Sequence, residues 1–272
     1  MMENSKLPIS LVVITLNEQN MIEDCLRSAP WCSEMIVYDS GSVDETKKRA
    51  QAAGAIVHQG PWEGFGRTKK KAALLAKNDW ILFLDADERL SLDLKDEIQR
   101  QFSLLDPQKI YYFPRRSYHL GRWIDHGGWY PDFQPRLFHR NHSNWNDAEI
   151  HEKLVPLSGA QVPAGRPPQS QRFCSDLHHL VFRDLSHQVQ TNDRYSTLQA
   201  QDLYKSGKRS SVLKLIVKPW VKFAENYFWK QGFRDGLPGF IIAVGSGYSV
   251  FLKWAKLWEL ERRNQNVERG VR

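Results

Sequence analysis

The first ninety residues alternate between continuous apolar runs and segments with helical spacing. Residues 9–16, ISLVVITL, are apolar and largely β-branched without interruption, a pattern typical of a strand covered on both faces in a parallel sheet. Comparable runs at 34–40, 55–59 and 79–88 predict three further strands. Between these runs, helices are predicted at 20–31, 43–54 and 67–78. This alternation indicates right-handed βαβ units in a doubly wound α/β sheet.

Beyond residue 110 the periodicity gives way to sequence rich in aromatic residues, glycine and proline. The stretch 111–140, YYFPRRSYHLGRWIDHGGWYPDFQPRLFHR, is expected to form loops and irregular strands that line a cleft. Residues 162–171 are expected to form a turn-rich connector. From residue 213, apolar residues recur with helical spacing opposite lysines, which predicts an amphipathic segment. We therefore expect a main domain over 1–204 and a basic helical tail over 205–272.

The composition is that of a globular protein. A chain of 272 residues with 41% hydrophobic residues can bury a substantial core. Its three cysteines include no CxxC pair and no clustered spacing, so neither a zinc site nor a disulfide framework is expected, and a reducing cytosol fits best. The N-terminus lacks the charged and apolar regions of a secretory signal, and we expect the protein in the cytoplasm.

The net charge of +7 is concentrated in the tail. Residues 205–272 contain 14 Lys and Arg against 5 Asp and Glu, whereas residues 1–204 contain 24 against 26. Tryptophans among these lysines fit a helix pressed on the anionic surface of the inner membrane, and a homo-oligomer interface is the alternative. Residues 236–252 are short for a membrane span and are diluted by glycine, so spanning is not expected. A nucleic-acid partner is not expected either.

Polar side chains cluster where three of the predicted strands end. In an open α/β sheet the ligand crevice lies outside the carboxyl ends of the strands, so these clusters are expected to converge on one edge. A single carboxylate at such a position is more often a helix cap or a solvated turn, but three clusters at one edge favour a site. The clusters are Thr15, Asn17 and Glu18; Asp39, Ser40, Gly41, Ser42 and Asp44; and Asp85, Asp87 and Glu88.

The third cluster indicates a divalent metal. Asp85 and Asp87 are two apart on a predicted strand, so their side chains are expected to point to the same side. Two carboxylates held close together repel each other unless a cation intervenes, and Mg²⁺ or Mn²⁺ takes oxygen ligands, often together with substrate phosphates. The pattern therefore predicts a Mg²⁺ or Mn²⁺ ion that arrives with a diphosphate.

These motifs occur in a recognisable order. VVITLNE, VYDSGSVDET and GFGRTKKKAALLAKNDWILFLDADE, over residues 9–89, together resemble the inverting nucleotide-sugar glycosyltransferases of family 2. GGWYPDFQPRLFHR, IHEKL and GFRDGLPGF extend the resemblance to bacterial lipopolysaccharide core β-1,4-glucosyltransferases that act on inner-core heptose. The resemblance implies a GT-A fold, a mixed sheet flanked by helices, here with an amphipathic helical extension. It also implies metal-dependent transfer of a hexose, glucose by this likeness, from a UDP-sugar to a lipid-linked saccharide.

The resemblance also implies roles for individual residues. Asp39 would bind the uracil, Asp85 the ribose or the metal, and Asp87 the metal directly. Lys69 would contact the diphosphate or the base, although a solvated helix face would explain that lysine equally well. The first wall of the nucleotide pocket would be formed by Thr15, Asn17 and Glu18.

A general base is expected after the strand predicted in RLFHR. Inverting transfer needs a carboxylate that takes the proton of the acceptor hydroxyl, and Glu152 occupies the corresponding place in the family pattern. The alternative for Glu152 is a surface salt bridge. Asp132 is the second candidate base, with an acceptor contact or a structural role as its alternative. The family usually has Glu-Asp where this chain has His151-Glu152, so the role of His151 stays open between acceptor binding and structure.

Residues around the predicted cleft could bind the acceptor. Trp129 and Tyr130 could stack on a sugar ring, although dense aromatic residues are equally typical of a core. Arg136, like the other arginines of this region, could pair with acceptor phosphates. His178 and His179 are adjacent and would face opposite ways on a strand, so a structural or loop role is expected for them.

Two other functional classes explain part of the sequence. A basic membrane- or RNA-binding protein on a non-catalytic α/β scaffold would explain the charged tail, but not the acidic motif together with Asp39 and Glu152. A nucleotidyltransferase is disfavoured because no glycine-rich phosphate loop with a basic signature follows the first strand.

Overall fold

The structure is a computed structural model that describes residues 6–148, 152–157 and 170–268, and the side chains up to residue 263. Its helices are α1 (Ile22–Arg27), α2 (Thr46–Ala52), α3 (Phe65–Leu74), α4 (Leu92–Gln101), α5 (Leu185–Lys205), α6 (Val212–Ala224) and α7 (Gly236–Glu268). Short 3₁₀ turns cover Phe102–Leu104 and Gly232–Asp235, and a π-helical turn covers Glu225–Trp229.

The strands are β1 (Leu7–Thr15), β2 (Cys32–Asp39), β3 (Ile56–Gln59), β4 (Trp80–Asp85), β5 (Glu88–Leu90), β6 (Ile110–His119), β7 (Arg122–Ile124), β8 (Asp132–His139), β9 (Ser143–Trp145), β10 (Leu154–Pro156), β11 (Ser170–Arg172) and β12 (Leu177–His179). Ten of them form one sheet with the order β3-β2-β1-β4-β8-β6-β12-β5, in which β7 and β11 also pair with β6. β3, β2, β1 and β4 are mutually parallel, and β8 is antiparallel to both β4 and β6. The sheet is therefore mixed, as predicted.

β1 lies at the centre of the parallel part because its side chains are apolar on both faces. Leu11 and Val13 belong to one buried cluster, and Val12 and Ile14 belong to a second cluster on the other side. Successive side chains of a strand point to opposite faces, so an uninterrupted apolar run buries both of them. The strand predicted at 9–16 is confirmed for this physical reason.

The structure differs from the predicted elements in two places. The stretch after residue 110 forms the ten-residue strand β6 and the eight-residue strand β8, not mainly loops. Alternate residues Tyr111 and Phe113 enter the core, a period that aromatic and basic residues on the other face obscure in the sequence. The strand predicted through residue 88 ends at Asp85, and a turn over 86–87 precedes β5.

The chain forms two compact units. The first contains Met1–Arg115 and Asp132–His179, and the second contains Arg116–Pro131 and Leu180–Arg272. In the second unit, α7 packs against both α5 and α6, and Ala200, Trp254 and Leu257 form its small buried cluster. α5, which the sequence interpretation placed before the tail, thus packs with the tail helices. The predicted functional division between residues 204 and 205 stays a prediction.

Candidate active site

The ends of β1, β2 and β4 lie side by side at one edge of the sheet. Thr15 is in register with Asp39, and Ile14 is in register with Asp85. The parallel pairing of these strands places their carboxyl ends together. The expected convergence of the three polar clusters on one edge is therefore observed.

Hydrogen bonds hold the loops after β1 and β2 to each other. The backbone N–H of Asn17 donates to Oγ of Ser42 (2.8 Å), and Oδ1 of Asn17 accepts from the N–H of Val43 (3.0 Å). The N–H of Glu18 donates to Oγ1 of Thr46 (2.8 Å). Asn17 has a φ of 57°, a left-handed conformation that asparagine tolerates better than most residues. Asn17, through its backbone and its side chain, and Glu18, through its backbone, thus hold the two loops together.

Three buried oxygens in this crevice have no hydrogen-bond partner among the described residues. They are Oγ1 of Thr15, Oδ2 of Asp39 and Oγ of Ser40. The other oxygen of Asp39 accepts from the N–H groups of Gly41 (3.1 Å) and Ser42 (2.9 Å), so its carboxylate is fixed in orientation. Buried polar atoms are almost always paired, and three unpaired ones at a strand edge indicate that a polar ligand completes the site.

Lys69 connects the acidic motif to the predicted base. Its Nζ lies 3.1 Å from Oδ1 of Asp85 and donates to Oε1 of Glu152 at 2.8 Å. Its side chain is only 3% exposed and passes 4.8 Å from the ring centroid of Trp145 and 5.4 Å from that of Phe83. The alternative of a solvated helix face for Lys69 is wrong, because its charge is enclosed between two carboxylates and two aromatic rings.

Gly66 explains how α3 brings Lys69 to this position. The N–H of Gly66 donates to the carbonyl oxygen of Ala148 (3.0 Å). A Cβ at Gly66 would lie 2.2 Å from the carbonyl oxygen of Asn146 and 2.7 Å from that of Ala148. Only glycine allows this close approach of backbone to backbone. The first turn of α3 therefore lies against the backbone of Asn146 and Ala148.

On the side away from Lys69, Asp85 is the first member of a row of alternating acidic and basic side chains. Nη2 of Arg136 contacts Oδ2 of Asp85 and donates to Oε1 of Glu88 (2.6 Å). Arg115 lies 3.3 Å from the same Glu88 oxygen and donates twice to Oδ2 of Asp132, from Nε (3.0 Å) and Nη2 (2.6 Å). Arg115 therefore donates two hydrogen bonds to one oxygen of Asp132, and the other oxygen, Oδ1, accepts from Gln134 (2.8 Å).

The neighbouring cations decide the charge state of Asp85. Burial alone would raise the pKa of Asp85, but the positive charges of Arg136 and then Lys69 outweigh it and hold that pKa well below its usual range. The reciprocal effect of Asp85 and Glu88 overcomes burial and raises the pKa of Arg136. Asp85 thus stays ionised, and its charge is already compensated by protein side chains.

Asp87 is separated from Asp85 and lies beside a histidine. β4 ends at Asp85 and Asp87 lies in the turn that follows, so the prediction that both residues lie on one strand is wrong. Oδ2 of Asp87 lies 3.3 Å from Nε2 of His179, and the Asp87 side chain is 33% exposed. A carboxylate and an imidazole are donors that suit Mn²⁺, and carboxylate oxygen suits Mg²⁺. Within 6–148, 152–157 and 170–263, no three acidic, histidine or cysteine side chains form a metal site by themselves.

The residues predicted to bind the acceptor lie in different places. Trp129 and Tyr130 belong to the second unit, where the Trp129 ring stacks on His119 at 5.9 Å and 16°. Arg136 is buried in the ion-pair chain of the first unit, so a direct acceptor contact by Arg136 would need a rearrangement that the structure does not show. His151 lies outside the described residues.

The contacts of two residues beside this site are not predicted by the sequence. Glu88 belongs to the predicted acidic cluster, and in the structure it is fully buried between Arg115 and Arg136. The sequence predicts a structural or substrate-loop role for His179. β12 pairs with β5 so that His179 is in register with Glu88, and its Nε2 lies 3.3 Å from Oδ2 of Asp87. No local sequence pattern predicts either contact, since each contact joins strands that are far apart in the sequence.

A mixed α/β sheet with unpaired buried oxygens and an acidic motif at its carboxyl edge is the architecture of GT-A glycosyltransferases. Residues 10–154, more than half of the chain, match the sequence model of glycosyl transferase family 2. The chain belongs to this family and is a glycosyltransferase with the GT-A fold. The non-catalytic scaffold considered from the sequence is thereby disfavoured.

Similar proteins span nearly the whole chain. The lipopolysaccharide core biosynthesis glycosyltransferase LpsC of Rhizobium meliloti (strain 1021) is 31% identical over 267 residues, 93% of each chain. The uncharacterized glycosyltransferase RP128 of Rickettsia prowazekii is 28% identical over 278 residues, 95% of this chain and 89% of its own. Among solved structures, glucosyl-3-phosphoglycerate synthase of Mycobacterium tuberculosis, crystallised with Mn²⁺, UDP and glucosyl-3-phosphoglycerate, is 27% identical over 40% of this chain and 43% of its own, with a TM-score of 0.34.

Proposed function

We propose that this glycosyltransferase moves glucose from UDP-glucose to a lipid-linked saccharide such as the lipopolysaccharide inner core, with inversion and with a divalent metal. The observation that carries the proposal is the contact of Lys69 with both Asp85 and Glu152, since it joins the acidic motif to a carboxylate suited to act as base. The similarity to a lipopolysaccharide core glycosyltransferase supports the acceptor class. The reaction takes place at the cytoplasmic face of the inner membrane in this proposal.

The crevice at the ends of β1 and β2 would hold the nucleotide. Oδ2 of Asp39 is a buried acceptor without a partner among the described residues, which suits an N–H of the uracil ring. Thr15 and Ser40 offer hydroxyl groups beside it. The loop of Asn17 and Glu18 closes this wall, and Asp85 lies at the adjacent strand end, where the ribose would follow.

Asp87 and His179 fit the metal that the family implies. Their donor atoms lie 3.3 Å apart on a partly exposed side of the motif, whereas Asp85 is already paired with two cations. Because no complete protein ligand set exists among the described residues, the diphosphate would supply the remaining oxygens. When bound, the metal would neutralise charge that develops on the departing diphosphate.

Glu152 is the better placed of the two candidate bases. Lys69 orients it through Oε1, whereas both oxygens of Asp132 already accept hydrogen bonds from Arg115 and Gln134. Glu152 would accept the proton of the acceptor hydroxyl while that oxygen forms a bond to the anomeric carbon. The bond from the anomeric carbon to the diphosphate breaks in the same step, and UDP leaves with the electron pair.

Exchange of each candidate carboxylate for its amide tests this assignment. Glu152→Gln should reduce kcat by about 10²- to 10⁴-fold, the usual contribution of a general base, with the affinity for UDP nearly unchanged. Asp132→Asn should retain most of the turnover, provided that both variants unfold at the temperature of the parent. Transfer kinetics with UDP-glucose and calorimetry with UDP provide the two readouts. An active Glu152→Gln variant together with an inactive but folded Asp132→Asn variant would show that Asp132, and not Glu152, is the base.

A further inference from the structure

A tight turn in the second unit carries His126 and Trp129 at its two ends. The N–H of Trp129 donates to the carbonyl oxygen of His126 (3.2 Å). Between them, Gly127 and Gly128 have φ values of 68° and 80°. Positive φ at both central residues defines a type I′ turn, which glycine adopts without strain. The Cα atoms of His126 and Trp129 therefore lie within about 7 Å of each other.

Backbone contacts hold this turn against the segment that precedes α7. The N–H of Gly127 donates to the carbonyl oxygen of Lys230 (2.9 Å). A Cβ at Gly232 would lie 2.7 Å from the carbonyl oxygen of Asn226 and 3.4 Å from Cα of Gly127. Glycine at both positions thus allows backbone to pack against backbone. The turn that carries His126 is therefore part of the packed structure of the second unit.

A buried carboxylate orients the ring of His126. The side chain of Asp235 is 1% exposed, and its Oδ2 accepts the backbone N–H of His126 (2.8 Å) while its Oδ1 lies 3.1 Å from Nδ1 of the ring. Nη2 of Arg122 also lies 3.4 Å from Oδ1, and a carboxylate paired with a guanidinium can only accept. Nδ1 therefore carries the proton of the neutral imidazole, and Nε2 is an acceptor. Nε2 has no partner among the described residues.

The contact of the imidazole with Asp235 is not needed to hold the turn. The carboxylate already accepts the backbone N–H of His126, and Nη1 of Arg122 donates to the carbonyl oxygen of Asp235 (3.1 Å). A side chain without a ring would keep both contacts. A carboxylate that fixes one ring nitrogen and leaves the other unpaired is the arrangement by which proteins prepare histidine to bind a ligand. The His126 side chain is 24% exposed, which leaves room for one.

Trp129 is also held in place. Its ring stacks on that of His119 at 5.9 Å and 16°, and Nε2 of the buried His119 donates to Oε1 of Gln188 (2.9 Å). The ring of Phe182 lies 6.2 Å from the Trp129 ring, at 60° to it. Trp129 remains partly exposed. A fixed, partly exposed indole suits contact with the apolar face of a sugar ring.

The charges next to the turn are balanced, which favours an uncharged ligand. Each of three basic side chains lies within ion-pair distance of a carboxylate. The pairs are Arg116 with Asp125 (2.6 Å), Arg122 with Asp235 (3.4 Å) and Lys230 with Glu225 (2.6 Å). Recognition of a phosphate depends on cations that can donate to it. A sugar hydroxyl needs only an acceptor such as Nε2 of His126, with an apolar surface beside it.

We propose that His126 and Trp129 form a sugar subsite in the second unit. Nε2 of His126 accepts a hydroxyl of the acceptor saccharide, Trp129 packs against the sugar ring, and Asp235 is the positioning residue that sets the tautomer of His126. The proposal rests on the proposed function for the saccharide nature of the acceptor. It does not depend on which carboxylate is the base or on the metal.

Exchange of His126 for asparagine separates ligand binding from a structural role. The amide nitrogen of asparagine can take the place of Nδ1 beside Asp235, whereas nothing takes the place of Nε2. With UDP-glucose and a soluble methyl heptoside, His126→Asn should raise the KM for the heptoside roughly 3- to 10-fold, the usual effect of one lost hydrogen bond. The kcat, the KM for UDP-glucose and the unfolding temperature should stay at the values of the parent, because the lost contact binds only the acceptor.

His142→Asn is the matched control. It makes the same exchange in the first unit, between β8 and β9, and should change neither KM. An unchanged KM for the heptoside in a folded His126→Asn variant would overturn the subsite.

Two further variants test the other members of the subsite. Trp129→Phe should keep the heptoside KM of the parent and Trp129→Leu should raise it, because only phenylalanine keeps an aromatic face. Asp235→Asn should raise the heptoside KM as His126→Asn does, and the nitrogen NMR shifts of His126 should lose the signature of the Nδ1–H tautomer. A parent ring protonated on Nε2 alone would contradict the role of Asp235. Equal KM values for the two Trp129 variants would contradict the role of Trp129.

Failure of this proposal and failure of the proposed function are distinguishable. An NMR titration with the methyl heptoside in the presence of UDP measures binding without transfer. Heptoside binding that His126→Asn weakens, in a chain that transfers no glucose, would support the subsite and contradict the function. Glucose transfer by the parent and by His126→Asn with the same heptoside KM would support the function and overturn the subsite.

Discussion

Lys69 and Lys70 are neighbours on α3, and both form ion pairs, but their surroundings differ. Lys69 is enclosed with Asp85 and Glu152, whereas Nζ of Lys70 lies 3.1 Å from Oδ1 of Asp147 with both side chains largely exposed. Removing one member of a buried ion pair leaves charge unpaired in a poorly hydrated place. An exposed pair contributes little, because water already solvates both charges.

We therefore expect Lys69→Met to lower the free energy of unfolding by about 2–4 kcal/mol, since methionine keeps the contacts with the aromatic rings but not the charge. Lys70→Met, the matched control, should cost no more than about 1 kcal/mol. Urea unfolding followed by tryptophan fluorescence measures both values. Turnover should be lost only in Lys69→Met, because only Lys69 orients the proposed base. Equal stability of the two variants would contradict the buried ion pair.

At this scale the sequence predicted which residue types meet, but not their partners. The location of Asp39 at the edge of the sheet could be predicted, because Asp39 ends an apolar run in the sequence. The burial of Lys69 could not be predicted, because it depends on Trp145 and Glu152, more than seventy residues away. The same holds for the pair of Asp87 and His179, which only the pairing of β5 and β12 brings together.

The position of α3 depends on one close backbone contact. Gly66 places the helix against the carbonyl groups of Asn146 and Ala148, and Lys69 follows one turn later. Gly245 is also inside a helix, α7, but a Cβ there would be no closer than 3.4 Å to Gln188. Both glycines are in helices, but only Gly245 has room for a Cβ atom.

Gly66→Ala should destabilise the protein by about 1–3 kcal/mol, the usual cost of overpacking, and should reduce turnover by moving Lys69 away from Glu152. Gly245→Ala should leave turnover unchanged and should be neutral or stabilising by up to about 1 kcal/mol, because alanine favours a helix. Thermal unfolding and transfer kinetics of both variants provide the check. A fully active and stable Gly66→Ala would contradict the close approach of α3.

Among the elements, continuous apolar runs were the most informative part of the sequence. β1 and β2 were predicted because both faces of these strands are apolar, so each strand appears in the sequence as a continuous apolar run. The end of β4 at Asp85 was missed, since the turn over 86–87 is set by contacts of Glu88 and not by a glycine or proline. β6 and β8 were underestimated because arginines and aromatic residues occupy their second face.

For the whole molecule, the order and spacing of the motifs over residues 9–89 indicated the family, and the family match confirms it. The sequence could not indicate that α5 packs with the tail helices, because the helical spacing of α5 is equally compatible with packing on the sheet. It also could not indicate that the apolar side of α6 faces outward, since periodicity defines a face but not its direction.

The most direct test of the account is one transfer reaction, from UDP-glucose to a heptose-terminated inner-core acceptor in the presence of Mn²⁺. The donor carries glucose in α linkage, so inversion predicts a β-linked product, which the anomeric proton coupling in the NMR spectrum identifies. The account also predicts that chelation of Mn²⁺ with EDTA stops the reaction and that added Mn²⁺ restores it. An α-linked product, or transfer that persists at full rate in EDTA, would contradict it.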